Sequence, residues 1–110
     1  DERVEVLGWE TRLNIALGTA RGILYLHSAY EKPLIHRDIK SANILLDEHM
    51  TPKLGDFGLV RLGKHQGNSM TMTTTVLGTS AYMAPEAFRG DVSVKLDTFS
   101  FGVVSFEIYV

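Results

Sequence analysis

In the run Ile35-His36-Arg37-Asp38-Ile39-Lys40-Ser41-Ala42-Asn43 an acid, basic side chains and an amide stand close together, flanked and interrupted by apolar residues. Another carboxylate follows in Asp56-Phe57-Gly58. Moving a phosphoryl group onto a hydroxyl needs a placed proton acceptor, cations to neutralise phosphate oxygens and hard oxygen ligands for a metal ion. Asp38 has the chemistry to orient the hydroxyl and take its proton, and Lys40 to contact the transferring phosphate. Asn43 and Asp56 suit Mg2+, which favours oxygen donors shared with phosphates and waters. Taken alone, the run also reads as a charged surface turn between two strands. Arg37 carries a planar guanidinium suited to a bidentate grip on a phosphate group. His36, between an apolar stretch and a turn, reads as a packed side chain, because a pKa near neutrality does not by itself make a catalyst.

The elements that must position these residues follow from periodicity and turn chemistry. From residue 9 to about residue 29, Leu13, Ala16, Leu17, Ala20, Leu24 and His27 recur at spacings of three and four, which predicts an amphipathic helix. Gly18 and Gly22 each cost such a helix about 1 kcal/mol relative to Ala, so close packing against another element is expected there. Pro33 ends the helical stretch. Residues 34–36 read as a short strand feeding the polar run. Residues 44–46 and 53–55 read as a hairpin closed by the turn residues Asp47 to Pro52, which would bring Asn43 and Asp56 to neighbouring strand ends. Residues 61–75 have no apolar period and are expected to form a mobile loop. A short helix over 84–90, closed by Gly90, and a helix over 96–110 led in by a Ser93 cap complete the reading.

Composition narrows the partners. The 110 residues are 45% apolar, enough for a small core, and the formal net charge of -2 is spread without a basic stripe. Neither a nucleic-acid partner nor a polybasic membrane patch is expected. The chain has no cysteine, which excludes disulfides and thiolate metal sites and agrees with a reducing compartment. Its first residues are mostly charged, so no signal peptide is expected. The apolar stretch from Phe99 to Val110 is broken by Ser100, Gly102, Ser105 and Glu107 and reads as a buried helix, since a bilayer span takes about 20 largely apolar residues.

His36-Arg37-Asp38 with Asn43, then Asp56-Phe57-Gly58, then Ala84-Pro85-Glu86 resemble the ordered motifs of protein kinases. The resemblance implies an α+β, protein-kinase-like fold: a fragment of the mainly helical large (C-terminal) lobe with short β-hairpins at the catalytic cleft. Residues 1–110 would be a partial kinase domain holding the catalytic loop, activation segment and following helix, without the small lobe or later helices. It further implies serine/threonine kinase activity with ATP and Mg2+ on protein substrates. Asp38 would be the base, Lys40 and Thr79 its catalytic companions, and Asn43 and Asp56 the metal ligands. Leu45, with Val104 and Ile108, would form the apolar column under the adenine, and His36 would stack on Phe57. Asp97 would hold the catalytic-loop backbone from beneath, and Glu86 would form a buried ion pair with an Arg beyond the chain. Arg37 would grip an activation-loop phosphate; the candidates are Ser69, Thr71, Thr73, Thr74 and Thr75, with Thr73 and Thr74 favoured by their distance from Gly78-Thr79.

Within kinases, Trp9-Glu10-Thr11-Arg12-Leu13, Ala20-Arg21-Gly22 and Tyr25-Leu26-His27 look like the group containing plant receptor-like kinases and animal Pelle. The stretches from His36 to Glu48 and from Ala81 to Gly90 are similar to the interleukin-1-receptor-associated kinases, and the intact Arg37 favours the type-four-like branch. This implies Toll or interleukin-1 receptor signalling in the cytoplasm, with adaptors and related kinases engaged through a death domain outside the chain. Thr98-Phe99 departs from the usual aliphatic residue followed by Tyr or Trp, which touches packing and not chemistry. The competing readings are a pseudokinase scaffold, against which the retention of Asp38, Lys40, Asn43 and Asp56 argues, and a plant-type receptor-like kinase. The isolated chain, lacking a Gly-rich loop and a strand lysine, is expected to be inactive.

Overall fold

The computed structural model describes residues 6–63 and 71–110. Helix α1 spans Trp9–Ser28, and the polar run that follows is framed by strand β1 (Leu34–Ile35) and a 3-10 turn at Ser41–Asn43. Strands β2 (Ile44–Leu46) and β3 (Pro52–Leu54) form the expected hairpin, in antiparallel register Ile44 to Leu54, Leu45 to Lys53 and Leu46 to Pro52. Its turn is built on Asp47, whose Oδ1 accepts from the backbone amides of His49 at 2.8 Å and Thr51 at 2.9 Å. These amides, Thr51 first, hold the Asp47 carboxyl below the usual carboxylate range.

The hairpin docks on α1 where the helix has no side chain. A Cβ added at Gly18 would lie 2.5 Å from the Pro52 ring, and one at Gly22 would lie 3.4 Å from Leu54. The two glycines therefore serve close packing, as their helix cost suggested. The buried face of α1 differs from the expected one. It is formed by Ile15, Ala16, Thr19, Ile23 and Leu26, whereas Leu13, Leu17 and Leu24 are exposed. Apolar residues occur on more than one side of this helix, so spacing alone admits two faces; the docked hairpin and second helix select one. Thr19 joins the core because its hydroxyl donates to the Ile15 carbonyl at 2.8 Å, which satisfies that buried polar group.

Residues 61–75 do not form a continuous loop. Strand β4 (Arg61–Leu62) pairs antiparallel with β1, and β5 (Thr71–Met72) pairs with β6 (Asp91–Val92). Both pairings join segments far apart in sequence, where an apolar period carries no information. Residues 64–70, and with them Ser69, lie outside the described residues. The short helix expected over 84–90 is a 3-10 helix at Pro85–Arg89, ended by Gly90 in the left-handed region at φ 88°. A side chain at Gly90 would also collide with the Thr73 carbonyl. Helix α2 runs Val94–Tyr109, two residues earlier than expected at its start, with the Ser93 side chain accepting from the Lys95 amide. Among the described residues no helix is long and apolar enough to cross a membrane.

The core is divided into two clusters. Ile35 packs with Ala84, Ala87, Val92 and Leu96, while Ile39 packs with Ile23 and Val104. Ile35 and Ile39 are both fully buried, each burial stabilising by about 1.5–3 kcal/mol. The polar residues between them are thus suspended from two separate apolar anchors.

Candidate active site

The run from His36 to Asn43 is held by the carboxylate of Asp97, which is fully buried on α2. Its Oδ2 accepts from the His36 amide at 2.8 Å and its Oδ1 from the Arg37 amide at 2.9 Å, while His27 Nε2 lies 2.7 Å from Oδ2. Arg37 needs this grip, because its backbone sits at φ 71° in a region that costs a non-glycine residue about 1–3 kcal/mol. Amide bonds to an ionised carboxylate are among the stronger hydrogen bonds and offset that strain.

His36 is fully buried and tied at both ring nitrogens. An amide can only donate, so the 3.1 Å contact from Asp38 N makes Nδ1 the acceptor, which leaves Nε2 to donate to the Gly55 carbonyl at 2.9 Å. The ring thereby links Asp38 to the hairpin end just before Asp56. It meets Phe57 edge-on, with centroids 5.3 Å apart and planes at 62°.

Around Asp38 the polar groups converge. Thr79 Oγ1 donates to Asp38 Oδ1 at 3.0 Å and accepts from Lys40 Nζ at 2.9 Å. Asn43 Nδ2 donates to the Asp38 carbonyl at 2.8 Å and to its Oδ2 at 3.3 Å. With the amide nitrogen so committed, the remaining polar atom of the Asn43 side chain is its carbonyl oxygen. The Gly55 amide donates to the backbone carbonyl of Asn43 at 2.8 Å, which sets Asp56 beside that residue and leaves the side-chain oxygen uninvolved in this bond. The Asp56 residue is exposed at φ 51° and accepts from the Gly58 amide at 3.3 Å. An amide oxygen and a carboxylate form a hard donor set of the kind Mg2+ takes when phosphates and waters complete its shell. Among the described residues no group of three or more His, Cys, Asp or Glu forms an all-protein metal cage.

The remaining expected site residues divide. Leu45 is 57% exposed on the hairpin. Its neighbour Ile44 packs against the cluster that holds Val104, as does Ile108. Arg37 Nε donates to the Leu59 carbonyl at 2.7 Å, and its pKa is lowered by burial and by neighbouring Arg61. Arg37 and Thr73 line one cavity together with Leu77 and Met83, whereas Thr74 is exposed and does not line it. Thr73 is tied by its amide to the Gly90 carbonyl at 2.8 Å. Glu86 makes no ion pair among the described residues.

Two features went unread in the sequence. His27, taken as a member of the α1 apolar stripe, instead meets Asp97. Glu107, taken only as an interruption of an apolar stretch, accepts from Ser41 Oγ at 2.7 Å and from the Tyr82 hydroxyl at 2.8 Å. No local signal marks either contact, since the partners are 70, 66 and 25 residues apart.

Residues 3–110 match the protein kinase domain family model. Among curated proteins, the chain is 53% identical over 103 residues to Cysteine-rich receptor-like protein kinase 27 of Arabidopsis thaliana, covering 93% of this chain and 16% of that protein. It is 52% identical over 105 residues to Probable serine/threonine-protein kinase PBL21 of the same organism, covering 94% of this chain and 27% of that protein. To Receptor-like protein kinase 7, also from Arabidopsis thaliana, it is 49% identical over 104 residues, covering 93% of this chain and 11% of that protein. The chain thus spans between about a tenth and three tenths of the length of these relatives. They are plant kinases, which broadens the resemblance beyond the Pelle and interleukin-1-receptor-associated group. With α+β architecture, two helices and short antiparallel strand pairs arranged around the Asp38 run, the chain belongs to the protein kinase domain family.

Proposed function

We propose that the protein is a serine/threonine kinase of the receptor-like type, transferring the terminal phosphoryl group of ATP to a Ser or Thr hydroxyl of a protein. The observation that carries this reading is the Thr79 hydroxyl, hydrogen-bonded at once to Asp38 and Lys40. It fixes a proton acceptor and a phosphate-binding cation at one place, which is the pairing that phosphoryl transfer to a hydroxyl requires. Asp38 orients the acceptor hydroxyl and receives its proton, while Lys40 faces the oxygens of the transferring group. Asn43 and Asp56 would hold Mg2+, which supplies charge neutralisation at the phosphates. Leu45, exposed on the hairpin, offers an apolar surface to the adenine. Arg37 would pair with phosphate on Thr73, whose side chain shares its cavity, or on Thr74.

Two of the relatives reported above carry receptor-like kinase names, which supports the receptor-like reading. The similarity of His36 to Glu48 to the interleukin-1-receptor-associated kinases supports a second reading, Toll or interleukin-1 receptor signalling through adaptors and a death domain. The upstream reading frame separates them: a transmembrane span supports the first, a death domain the second. A pseudokinase scaffold is disfavoured by the complete polar set at the site. The decisive test is phosphotransfer to a Ser/Thr peptide by the full-length protein and its Asp38→Asn variant. A fall in kcat of about 10²–10⁴-fold is expected for loss of a general base; turnover equal to that of the parent would refute the assignment.

A further inference from the structure

Glu107 sits on the last turns of α2 and is not among the groups assigned above to ATP or the acceptor hydroxyl. Its Oε1 receives two hydrogen bonds, from Ser41 Oγ at 2.7 Å and from the Tyr82 hydroxyl at 2.8 Å. Ser41 is the residue after Lys40, and Tyr82 stands three residues beyond Thr79. Lys40 and Thr79 are themselves joined at 2.9 Å. A closed ring results: from Lys40 along the chain to Ser41, across Glu107 to Tyr82, back along the chain to Thr79, and across to Lys40. A further bond from α2 backs it, the Ser100 hydroxyl donating to the Tyr82 carbonyl at 2.6 Å. Ser100 and Glu107 are seven residues apart and so share a helix face. The Tyr82 ring packs against the cluster of Ile23, Ile39 and Val104. The hydrogen bond to Glu107 raises the Tyr82 pKa, which keeps its hydroxyl a donor.

We infer that Glu107 is a positioning residue, setting the separation of Lys40 and Thr79 and with it the seat of the acceptor hydroxyl, through Ser41 and Tyr82. Apart from Lys40, which faces the transferring phosphate, the ring lies on the acceptor side of the site. On the nucleotide side Asp56 is set by the Gly55 amide on the Asn43 backbone carbonyl, and Asn43 is held besides by its own amide on the Lys40 carbonyl at 2.9 Å and by its side chain on Asp38, none of which passes through Glu107. Loss of the ring therefore weakens use of the protein substrate more than it weakens ATP binding, whose metal ligands Asn43 and Asp56 keep their own hydrogen bonds. This inference rests on the kinase reading for its kinetic consequence, though not for the ring itself.

The test uses the full-length kinase with Ser41→Ala, Tyr82→Phe, Glu107→Ala, Glu107→Gln and the triple variant Ser41→Ala/Tyr82→Phe/Glu107→Ala. Each hydroxyl deletion is expected to lower kcat/KM for a peptide substrate about two- to tenfold, the equivalent of one hydrogen bond. The triple variant should be no worse than Glu107→Ala, because the three side chains act as one unit. Glu107→Gln, which keeps an acceptor oxygen, should recover most of the loss, and KM for ATP should stay within about twofold of the parent. Losses that multiply across the three sites, or an equal rise in KM for ATP, would overturn the inference. If Glu107→Ala does not fold, the Ser41→Ala/Tyr82→Phe cycle, which deletes one hydroxyl from each partner, decides the same point. Amide hydrogen exchange over residues 79–83 reads the ring without turnover: faster exchange in Tyr82→Phe and Glu107→Ala supports it, and unchanged exchange overturns it. A parent protein that binds but never transfers phosphate would count against the kinase reading, and exchange would still decide the ring.

Discussion

The run from Ile35 to Asn43 and the stretch from Thr73 to Gly78 meet at Asp38 and Thr79, yet they are held in different ways. The first hangs between two buried isoleucines, with its backbone gripped by Asp97 and its His36 ring bonded at both nitrogens. The second is mostly exposed from Thr74 to Gly78, its start fastened by the Thr73 amide on the Gly90 carbonyl. Groups that must meet a reacting atom within a fraction of an ångström benefit from the first kind of support. A segment that must present a hydroxyl for modification benefits from the second, since low local stability is what gives access.

Breaking the rigid side should have the largest effect. Asp97→Ala leaves the His36 and Arg37 amides without their acceptor in a buried place, and the loss is expected to be about 2–6 kcal/mol, summing two unsatisfied donors. Chemical denaturation of the full kinase domain measures it; Asp97→Asn, which keeps one acceptor oxygen, should cost less. Next comes the fastening of the looser side. Gly90→Ala must adopt φ 88° and meet the Thr73 carbonyl, so a destabilisation of about 1–3 kcal/mol is expected, again by denaturant midpoint. A smaller change tests whether the exposed stretch regulates. Replacing Thr71, Thr73, Thr74 and Thr75 with Ala should lower activity of the full-length kinase about tenfold, on the order of one phosphate-guanidinium contact. Turnover that does not change would remove the regulatory role of Arg37.

The smallest effect concerns the hairpin turn. Asp47 is held below its usual pKa by backbone amides, so its contribution is present above the unfolded-state value of about 3.9 and is lost as pH falls through the lower folded-state value. The difference in melting temperature between the parent and Asp47→Ala should therefore shrink below about pH 4 and stay constant near neutrality. A difference that grows on acidification would reverse the sign of this assignment.

How much was legible follows the range of each interaction. The β2–β3 hairpin is readable because Asp47 and Pro52 act locally, and α1 with its two packing glycines is readable because its spacing repeats. The buried face of α1 is not, since its apolar residues surround more than one side and only the docked hairpin chooses among them. Strands β4 and β5 carry too few residues for a period and are defined by partners at β1 and β6. At the site, residue types allowed the chemistry of Asp38, Lys40, Asn43 and Asp56, and the resemblance of three ordered motifs to those of kinases assigned the roles. The supports from His27 and Glu107 come from helices distant in sequence, and nothing near either residue announces its partner. Leu45 shows the same limit on a smaller scale, because one step along a strand exchanges the face it presents for that of Ile44.

The separate anchoring of Ile35 and Ile39 has a consequence for how the molecule tolerates change. Asp38 lies between them, so its position is a function of where one apolar cluster stands relative to the other. A substitution that lets α2 slide by half an ångström against Ala84 and Ala87, while leaving each cluster well packed, would pass every assay of stability and still misplace the carboxylate. If the protein transfers phosphate as proposed, the spacing between the two cores sets where its carboxylate acts, and drift in one must be matched by drift in the other for Asp38 to keep its place.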